Sequence, residues 1–330
     1  MDHVAIDWGA KESQICVRSP DETILETRRV RTAQLGEYLA RRPPSRVIIE
    51  TCTQAFSIAD QVRSLGHEVR VVPATLAPAL GVGARRTKTD RRDAEALSSA
   101  SCRIDLPSVH IPSAESRARK QLLASRDALV RTRTLLINSV RAYLRSDGRS
   151  LRATPCTLAG RLRASGWPLP VHVESLLVML DAVNAELKRL TREVVELAHH
   201  DAVCIRLMTV PGVGPITALR FRAVLDDASR FCSAHQVESY LGLVPGQRSS
   251  SQSVHRLGIT KAGSGPLRAC LIQAAWCARR CRVIPPMVAW SLEVEKRRGK
   301  FVAVVALARK IAGVLFALWR DGTEFDPMRP

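Results

Sequence analysis

Short apolar runs separated by polar turns dominate the first seventy residues. His3 to Ile6 is an apolar run closed by Asp7, and Ser13 to Arg18 and Thr23 to Val30 read as two more strands around a Pro-Asp turn at 20–21. The period predicts three strands in a meander. The pattern then changes: Leu35 to Ala40 predicts a short helix, Arg46 to Glu50 a buried strand, Phe56 to Leu65 a helix with Gly66 beyond it, and Glu68 to Val72 another strand. A helix is expected from about Thr89. The order βββαβαβ followed by a helix predicts a mixed sheet with helices packed on it.

Beyond residue 110 the period becomes helical. Ala114 to Asp147 reads as one long Arg-rich helix, with Leu122, Leu129 and Leu136 seven residues apart and Val140 and Leu144 continuing the stripe. A Pro/Gly/Arg-rich connection covers Gly148 to Pro170. Leu176, Leu180, Val183, Leu187, Leu190, Val194 and Leu197 then alternate spacings of four and three, the a/d seam of a coiled coil. The two long helices could pair within the chain or across an oligomer, and periodicity leaves both open. After His200 the chain is compact and helical: Cys204 to Met208, the turn Val210-Pro-Gly-Val-Gly-Pro215, and helices at Ile216 to Leu225, Leu267 to Arg282 and Phe301 to Trp319. The turn resembles that of helix-hairpin-helix modules, whose backbone N–H groups approach a phosphate. The expected fold class is therefore α/β plus all-α. Expected domains are 1–110, a sheet-based domain; 111–200, a helical coiled-coil or oligomerisation region; and 201–330, a mainly helical domain.

Charge narrows the partners. Fifty Lys+Arg stand against 31 Asp+Glu, a formal charge of +19 over 330 residues. The excess is spread over Arg28, Arg29 and Arg31, Arg85 to Arg92, Arg117 to Arg152, Arg279 to Arg282 and Lys296 to Lys300. Several phosphate-contacting surfaces would have this distribution. Only 4% of residues are aromatic, so base stacking is not the main mode of recognition. Arg309 and Lys310 interrupt the apolar stretch Phe301 to Leu318, which favours a packed helix over a membrane span. Nine cysteines without a CxxC pair favour reduced thiols over a zinc site, and the start MDHVAIDWGA lacks a basic-then-apolar signal region. A cytoplasmic, nucleoid-associated location is expected, with no membrane partner.

Against this basic background four acids stand out. Asp7 and Glu50 end two buried strands, while Asp90 and Asp93 are three apart at the start of a helix and so share a face. A metal-dependent nuclease of the ribonuclease H type places carboxylates in this way, since two-metal phosphodiester chemistry needs a cluster of oxygen ligands suited to Mg²⁺. For Asp90 and Asp93 taken alone, a helix N-cap and a first-turn acid would need no metal. The actin-like fold also opens with a strand and Asp-x-Gly, here Asp7-Trp8-Gly9, but its second phosphate loop and Gly-rich adenosine site are not found.

Tyr240-Leu-Gly-Leu-Val-Pro-Gly-Gln-Arg-Ser-Ser-Ser-Gln-Ser253 forms a Ser-rich segment that reads as a loop, followed by Ile259-Thr-Lys-Ala-Gly263 and Leu267-Arg268. Taken in order, IDWGAK, VIIET, TKTDRRDAEAL, VPGVGPITA, YLGLVP with the serines, and ITKAGSGPLR resemble the insertion-sequence transposases that carry an N-terminal RuvC-like DEDD domain and a C-terminal serine domain. The resemblance covers nearly the whole chain. It implies a DNA recombinase whose acids Asp7, Glu50, Asp90 and Asp93 bind Mg²⁺ and whose serine attacks a DNA phosphate to form a covalent phosphoserine link. Register from Pro245 places that nucleophile at Ser250. The chain has Ser-Ser-Ser-Gln-Ser where the family has Ser-Gly, so Ser249 and Ser251 stay open. The resemblance further implies double-stranded donor and target DNA and a structured non-coding guide RNA, the bridge RNA. It also implies a homo-oligomer, a dimer or a tetrameric synapse, in which the acids of one subunit meet the serine of another. Delegating sequence choice to base pairing suits a chain with many arginines and few aromatics. The competing readings are a metal-dependent, structure-selective nuclease without a covalent intermediate, and a non-catalytic helix-hairpin-helix binding protein.

Overall fold

A computed structural model describes residues 1–80, 89–250, 253–282 and 284–327. The chain divides into two compact units, Met1–Pro112 and Ser113–Pro330. Of the helical segment expected as a region of its own over 111–200, residues 113–200 lie in the second unit.

In the first unit, β1 (His3–Asp7), β2 (Glu12–Arg18) and β3 (Ile24–Arg31) form the meander, followed by α1 (Leu35–Ala40), β4 (Arg46–Glu50), α2 (Ala55–Ser64), β5 (Glu68–Val72) and α3 (Asp90–Arg103). The sheet order is β3-β2-β1-β4-β5; β1, β4 and β5 run parallel, and β2 and β3 are antiparallel to their neighbours. Alternation sorts the side chains onto two faces. Val4, Ile6, Ile15, Val47, Ile49 and Val71 pack on Leu35 and Leu39 of α1 and Ile58 and Val62 of α2. Ala5, Ile48 and Val72 pack on Leu97 of α3. Burial of both faces explains why β1 and β4 read as continuous apolar runs rather than alternating ones.

Polar contacts fix how α3 lies on its face. His3 Nδ1 is 2.7 Å from Ser101 Oγ, Ser98 Oγ is 3.2 Å from Cys16 Sγ, and Arg18 Nε donates to Ser98 Oγ at 3.0 Å. Since Cys16 pairs with Ala5, α3 runs antiparallel to β1, its first turn directed toward the carboxyl ends of β1 and β4.

The second unit is mainly helical. It comprises α4 (Ala114–Ser146), α5 (Leu158–Arg163), α6 (Val171–His200), α7 (Ala202–Met208), α8 (Pro215–Leu225), α9 (Ala234–Tyr240), a ribbon of β6 (Pro245–Ser250) and β7 (Ser253–Ile259), then α10 (Gly265–Ala278), α11 (Pro286–Arg298) and α12 (Lys300–Asp321). The long helices pair with each other. Ile137, Val140 and Leu144 near the end of α4 cluster with Val173, Leu177 and Leu180 at the start of α6, and Leu123 near the start of α4 shares a core with Val194 and Ala198 near the end of α6. The expected seam is thus a helical hairpin within one chain. Leu180, Val183, Leu187 and Val194 are buried, but at the beginning of α6 the buried position is Leu177 rather than Leu176, and Leu197 is 37% exposed. A straight helix of 3.6 residues per turn drifts off a 3.5 repeat in this way.

The α8, α10 and α12 helices form the main core. Arg309 and Lys310 do not stop α12 from being long and apolar enough to cross a membrane, the one such helix among the described residues, but 56% of its apolar window is buried. Leu307, Ile311, Leu315 and Phe316 pack into the core cluster. Lys310 stacks on Trp290, and Arg309 pairs with Glu238 at 2.6 Å.

Candidate functional site

Strand register carries Asp7 and Glu50 to one place. Ile6 pairs with Ile49 in parallel, so the next residues, Asp7 and Glu50, end their strands side by side. Each stands two residues beyond a member of the α3-facing cluster, Ala5 and Ile48, and alternation puts both acids on that face. Both side chains are partly buried.

The first turn of α3 reaches the same level. From Ser98 back to Asp93 is a rise of about 7.5 Å along the helix, and from Ala5 forward to Asp7 about 6.6 Å along the strand. Asp93 is buried at 2% exposure while Asp90 is exposed, so the shared face expected for the pair is not realised in their burial. Nor is Asp90 the N-cap: Thr89 caps α3, its side chain accepting from the Arg92 N–H, and Asp90 is the first helical residue. Asp90 instead lines a cleft of about 530 Å³ with Lys11, Glu12, Arg29 and Arg31. All four acids offer the hard oxygen donors that suit a divalent cation. Among the described residues, however, no three side chains of His, Cys, Asp or Glu stand close enough together to hold one.

The loop after Asp7 is clipped in place. Gly9 N–H donates to Ser13 Oγ at 3.3 Å, Thr32 Oγ1 donates to the Gly9 carbonyl at 2.7 Å, and Thr32 N–H donates to the Lys11 carbonyl at 2.9 Å. A Cβ on Gly9 would lie 2.0 Å from the Glu12 carbonyl oxygen. Trp8 Nε1 donates to Gln54 Oε1 at 3.0 Å, tying this loop to the residue before α2. These clip residues escaped the sequence reading, although the Asp-x-Gly spelling carried a signal for the glycine.

The serines occupy an antiparallel ribbon, not a loop. Ser249 pairs with Val254 and Ser250 with Ser253; Ser251 lies outside the described residues. The root of the ribbon is locked. Gly242 and Gly263 have φ of +67° and +65°, and a Cβ on either would meet backbone, Ala262 N at 2.3 Å or Tyr240 O at 2.1 Å. Thr260 N–H donates to the Val244 carbonyl at 3.0 Å, Lys261 N–H to the Gly242 carbonyl at 3.1 Å, and Arg268 to the Leu241 carbonyl at 3.0 Å. The YLGLVP and TKAG motifs are therefore the two sides of one crossing. Gly212 of the Val210–Pro215 turn likewise has φ +86°, with the Ala274 carbonyl 2.2 Å from where a Cβ would be; its freedom serves packing on α10.

Comparison with known proteins agrees with both parts of this layout. A family model described as "Transposase IS116/IS110/IS902 family" matches residues 204–288. A second, for the DEDD domain of IS110 elements and described as "Transposase", matches residues 4–146. This domain implies a ribonuclease H-like fold for the mixed sheet. A "Probable family 20 transposase" of Pseudomonas aeruginosa is 32% identical, covering 99% of each chain. The transposase for insertion sequence element IS1328 of Yersinia enterocolitica is 29% identical over 98% of each. The transposase for IS1111A of Coxiella burnetii is 29% identical over 96% of this chain and 88% of its own. By domain content and by relatedness along its whole length, the chain belongs to the IS116/IS110/IS902 family of insertion-sequence transposases, enzymes that recombine DNA.

Proposed function

We propose that the chain cuts and rejoins double-stranded DNA, donor and target, with Asp7, Glu50, Asp90 and Asp93 as the acidic part of the active site and Ser250 as its nucleophile. The observation that carries this reading is the register that sets Asp7 beside Glu50 on the α3 face, at the level of the first turn of α3. A divalent cation, Mg²⁺ by the hardness of the donors, would be held by these acids and would supply charge neutralisation at the phosphate under attack. The serine hydroxyl attacks phosphorus; a bond from Oγ to phosphorus forms, a phosphorus–oxygen bond to the sugar breaks, and the proton lost by serine is matched by one gained on the departing sugar oxygen. The ester is conserved in the phosphoserine link, so reversal on a second DNA end rejoins the strand without further energy input.

Acids and serine belong to different compact units, which agrees with an active site assembled in a homo-oligomer from the acids of one subunit and the serine of another. A structured guide RNA as the reader of sequence is consistent with a charge of +19 and 4% aromatic residues.

Strand cleavage of an element-end duplex tests the reading. Asp7→Asn and Glu50→Gln should each lower cleavage at least ~10³-fold, whereas Glu37→Gln, an exposed acid of α1, should cut like the parent. Mixing Asp7→Asn with Ser250→Ala subunits should restore part of the activity. Undiminished cleavage by Asp7→Asn would remove the acidic end from the chemistry. Nicking that leaves no protein on the DNA would select a nuclease without a covalent intermediate.

A further inference from the structure

The pairing register separates the three arginines of β3 by face. Asp7 pairs with Gln14 and Gln14 with Arg29; directly paired residues point to the same side of a sheet. Arg29 therefore belongs to the face that carries Asp7 and Glu50, two strands out from Asp7, about 10 Å at 4.8 Å per strand. Arg31, two residues on and paired with Glu12, is on the same face. Arg28 is on the other, its guanidinium 5.2 Å from the Tyr38 ring centre. Along the carboxyl end of the sheet the row reads Glu50, Asp7, Gln14, Arg29, with Arg31 and Lys11 beside it.

We infer that Lys11, Arg29 and Arg31 form a phosphate-binding track for the DNA strand whose scissile phosphate lies at the acids, and that they hold the neighbouring phosphates. Three observations carry this. The cleft of about 530 Å³ is lined by these three cations together with Glu12 and Asp90, so it is continuous with the acidic end and its charge is positive beyond it. The cations are available: among the described residues Lys11 and Arg31 have no ion-pair partner, and Arg29 has only Glu12 at 3.8 Å, both well exposed, a pair of the kind that contributes little. The intervening Gln14 is occupied, donating to the Arg28 carbonyl at 3.0 Å and the Ile15 carbonyl at 3.3 Å, so it offers no competing contact. The track runs out at β3, the edge strand, and a backbone leaving the acids can follow it off the sheet. An acidic site on its own repels a polyanion. A cationic row displaced sideways by two strands offsets that repulsion without neutralising the carboxylates themselves.

The inference rests on the reading of the acidic end as the cutting end, and the test keeps the two apart. The full-length protein is titrated, in EDTA so that no cutting occurs, onto a fluorescein-labelled duplex of the element end at a series of salt concentrations. Each phosphate contact contributes about 0.9 to the slope of log K against log salt. Arg29→Gln with Arg31→Gln should lower that slope by about 1.8, Arg29→Lys should retain it, and Arg28→Gln, the adjacent residue of equal charge on the opposite face, should leave it unchanged. Equal effects from Arg28→Gln and Arg29→Gln would overturn the track, as would a slope change seen on an RNA hairpin of equal phosphate number and not on the duplex. An unaltered melting temperature in each variant ensures that the comparison concerns binding. If Asp7→Asn cuts like the parent while the slope changes persist, the catalytic reading fails and the binding surface stands.

Discussion

The acids and the serine are presented by two very different kinds of β-structure. Asp7 and Glu50 end strands at the centre of a five-stranded sheet, with flanking residues Ile6 and Ile49 at 1% and 0% exposure. Ser250 ends a ribbon that, among the described residues, has two strands and pairs with no other. A central sheet position fixes a side chain by packing on both faces. An isolated ribbon is marginal by itself and depends on its anchorage. Here that anchorage is the Gly242–Gly263 crossing with Arg268, at the root, far along the ribbon from Ser250. The division suits the proposed chemistry: ligands for an ion need fixed geometry, whereas a nucleophile that carries a DNA end has to reach its target and later release it.

The comparison can be tested most sharply at the chemistry. Asp7→Asn and Ser250→Ala should both reduce strand transfer at least ~10³-fold with melting temperatures close to the parent's. A large loss of stability in Ser250→Ala would mean that the ribbon end is a structural element, and the contrast would collapse. Next in size is the anchorage. Gly263→Ala forces a Cβ against the Tyr240 carbonyl at positive φ, and should cost about 2–4 kcal/mol in the second unit by chemical denaturation. A cost below ~1 kcal/mol would show that the ribbon root is not locked.

A third test concerns ion pairing in the helical unit. Asp201 caps α7 through the Val203 and Cys204 N–H groups and meets Arg119 at 2.9 Å. Burial works to raise its pKa, but the Cys204 N–H and the Arg119 and Arg222 charges outweigh it, and the carboxyl is held below its ordinary value. Asp201→Asn leaves Arg119, 8% exposed, without its buried partner and should cost about 2–4 kcal/mol. Because the folded pKa is depressed, this stabilisation is present above the ordinary carboxylate range and is lost only as pH falls through the lowered value.

The smallest effect belongs to the sheet. Burial, and then Arg46, push the His3 imidazole below its ordinary 6.5. The folded unit thus binds fewer protons than the unfolded chain as pH falls from 6.5 toward the lowered value, and loses stability across that window. His3→Gln should flatten the pH dependence of melting there. With His3 in place the first unit weakens in mild acid; an unchanged profile in His3→Gln would remove the imidazole as the cause.

Much of this architecture was legible in the residues. Every strand of the first sheet lies within one or two residues of its expected span, and for β1 and β4 burial on both faces makes the apolar run unbroken. The acids were legible because they interrupt such runs at their ends. The ribbon was not: Gly246-Gln-Arg-Ser-Ser has neither apolar alternation nor β-branched residues, and its pairing is a backbone property held by glycines outside it. Missed too were α9, despite the Ser233 cap and Gln236 three residues on, and α11, despite Pro286 at its first turn; α5 was hidden in a connection rich in Pro, Gly and Arg. The separation of Arg28 from Arg29 could not be read from charge at all, since only strand register decides the face.

In the proposed function the acidic end of the sheet and the serine of the ribbon serve one reaction. The direct measurement is mass spectrometry of the protein–DNA adduct formed on an element-end duplex and digested to peptides. The account predicts a nucleotide remnant on Ser250, no adduct in Ser250→Ala, and none in Asp7→Asn. A remnant on any other residue, or DNA cut with both ends free of protein, would contradict it.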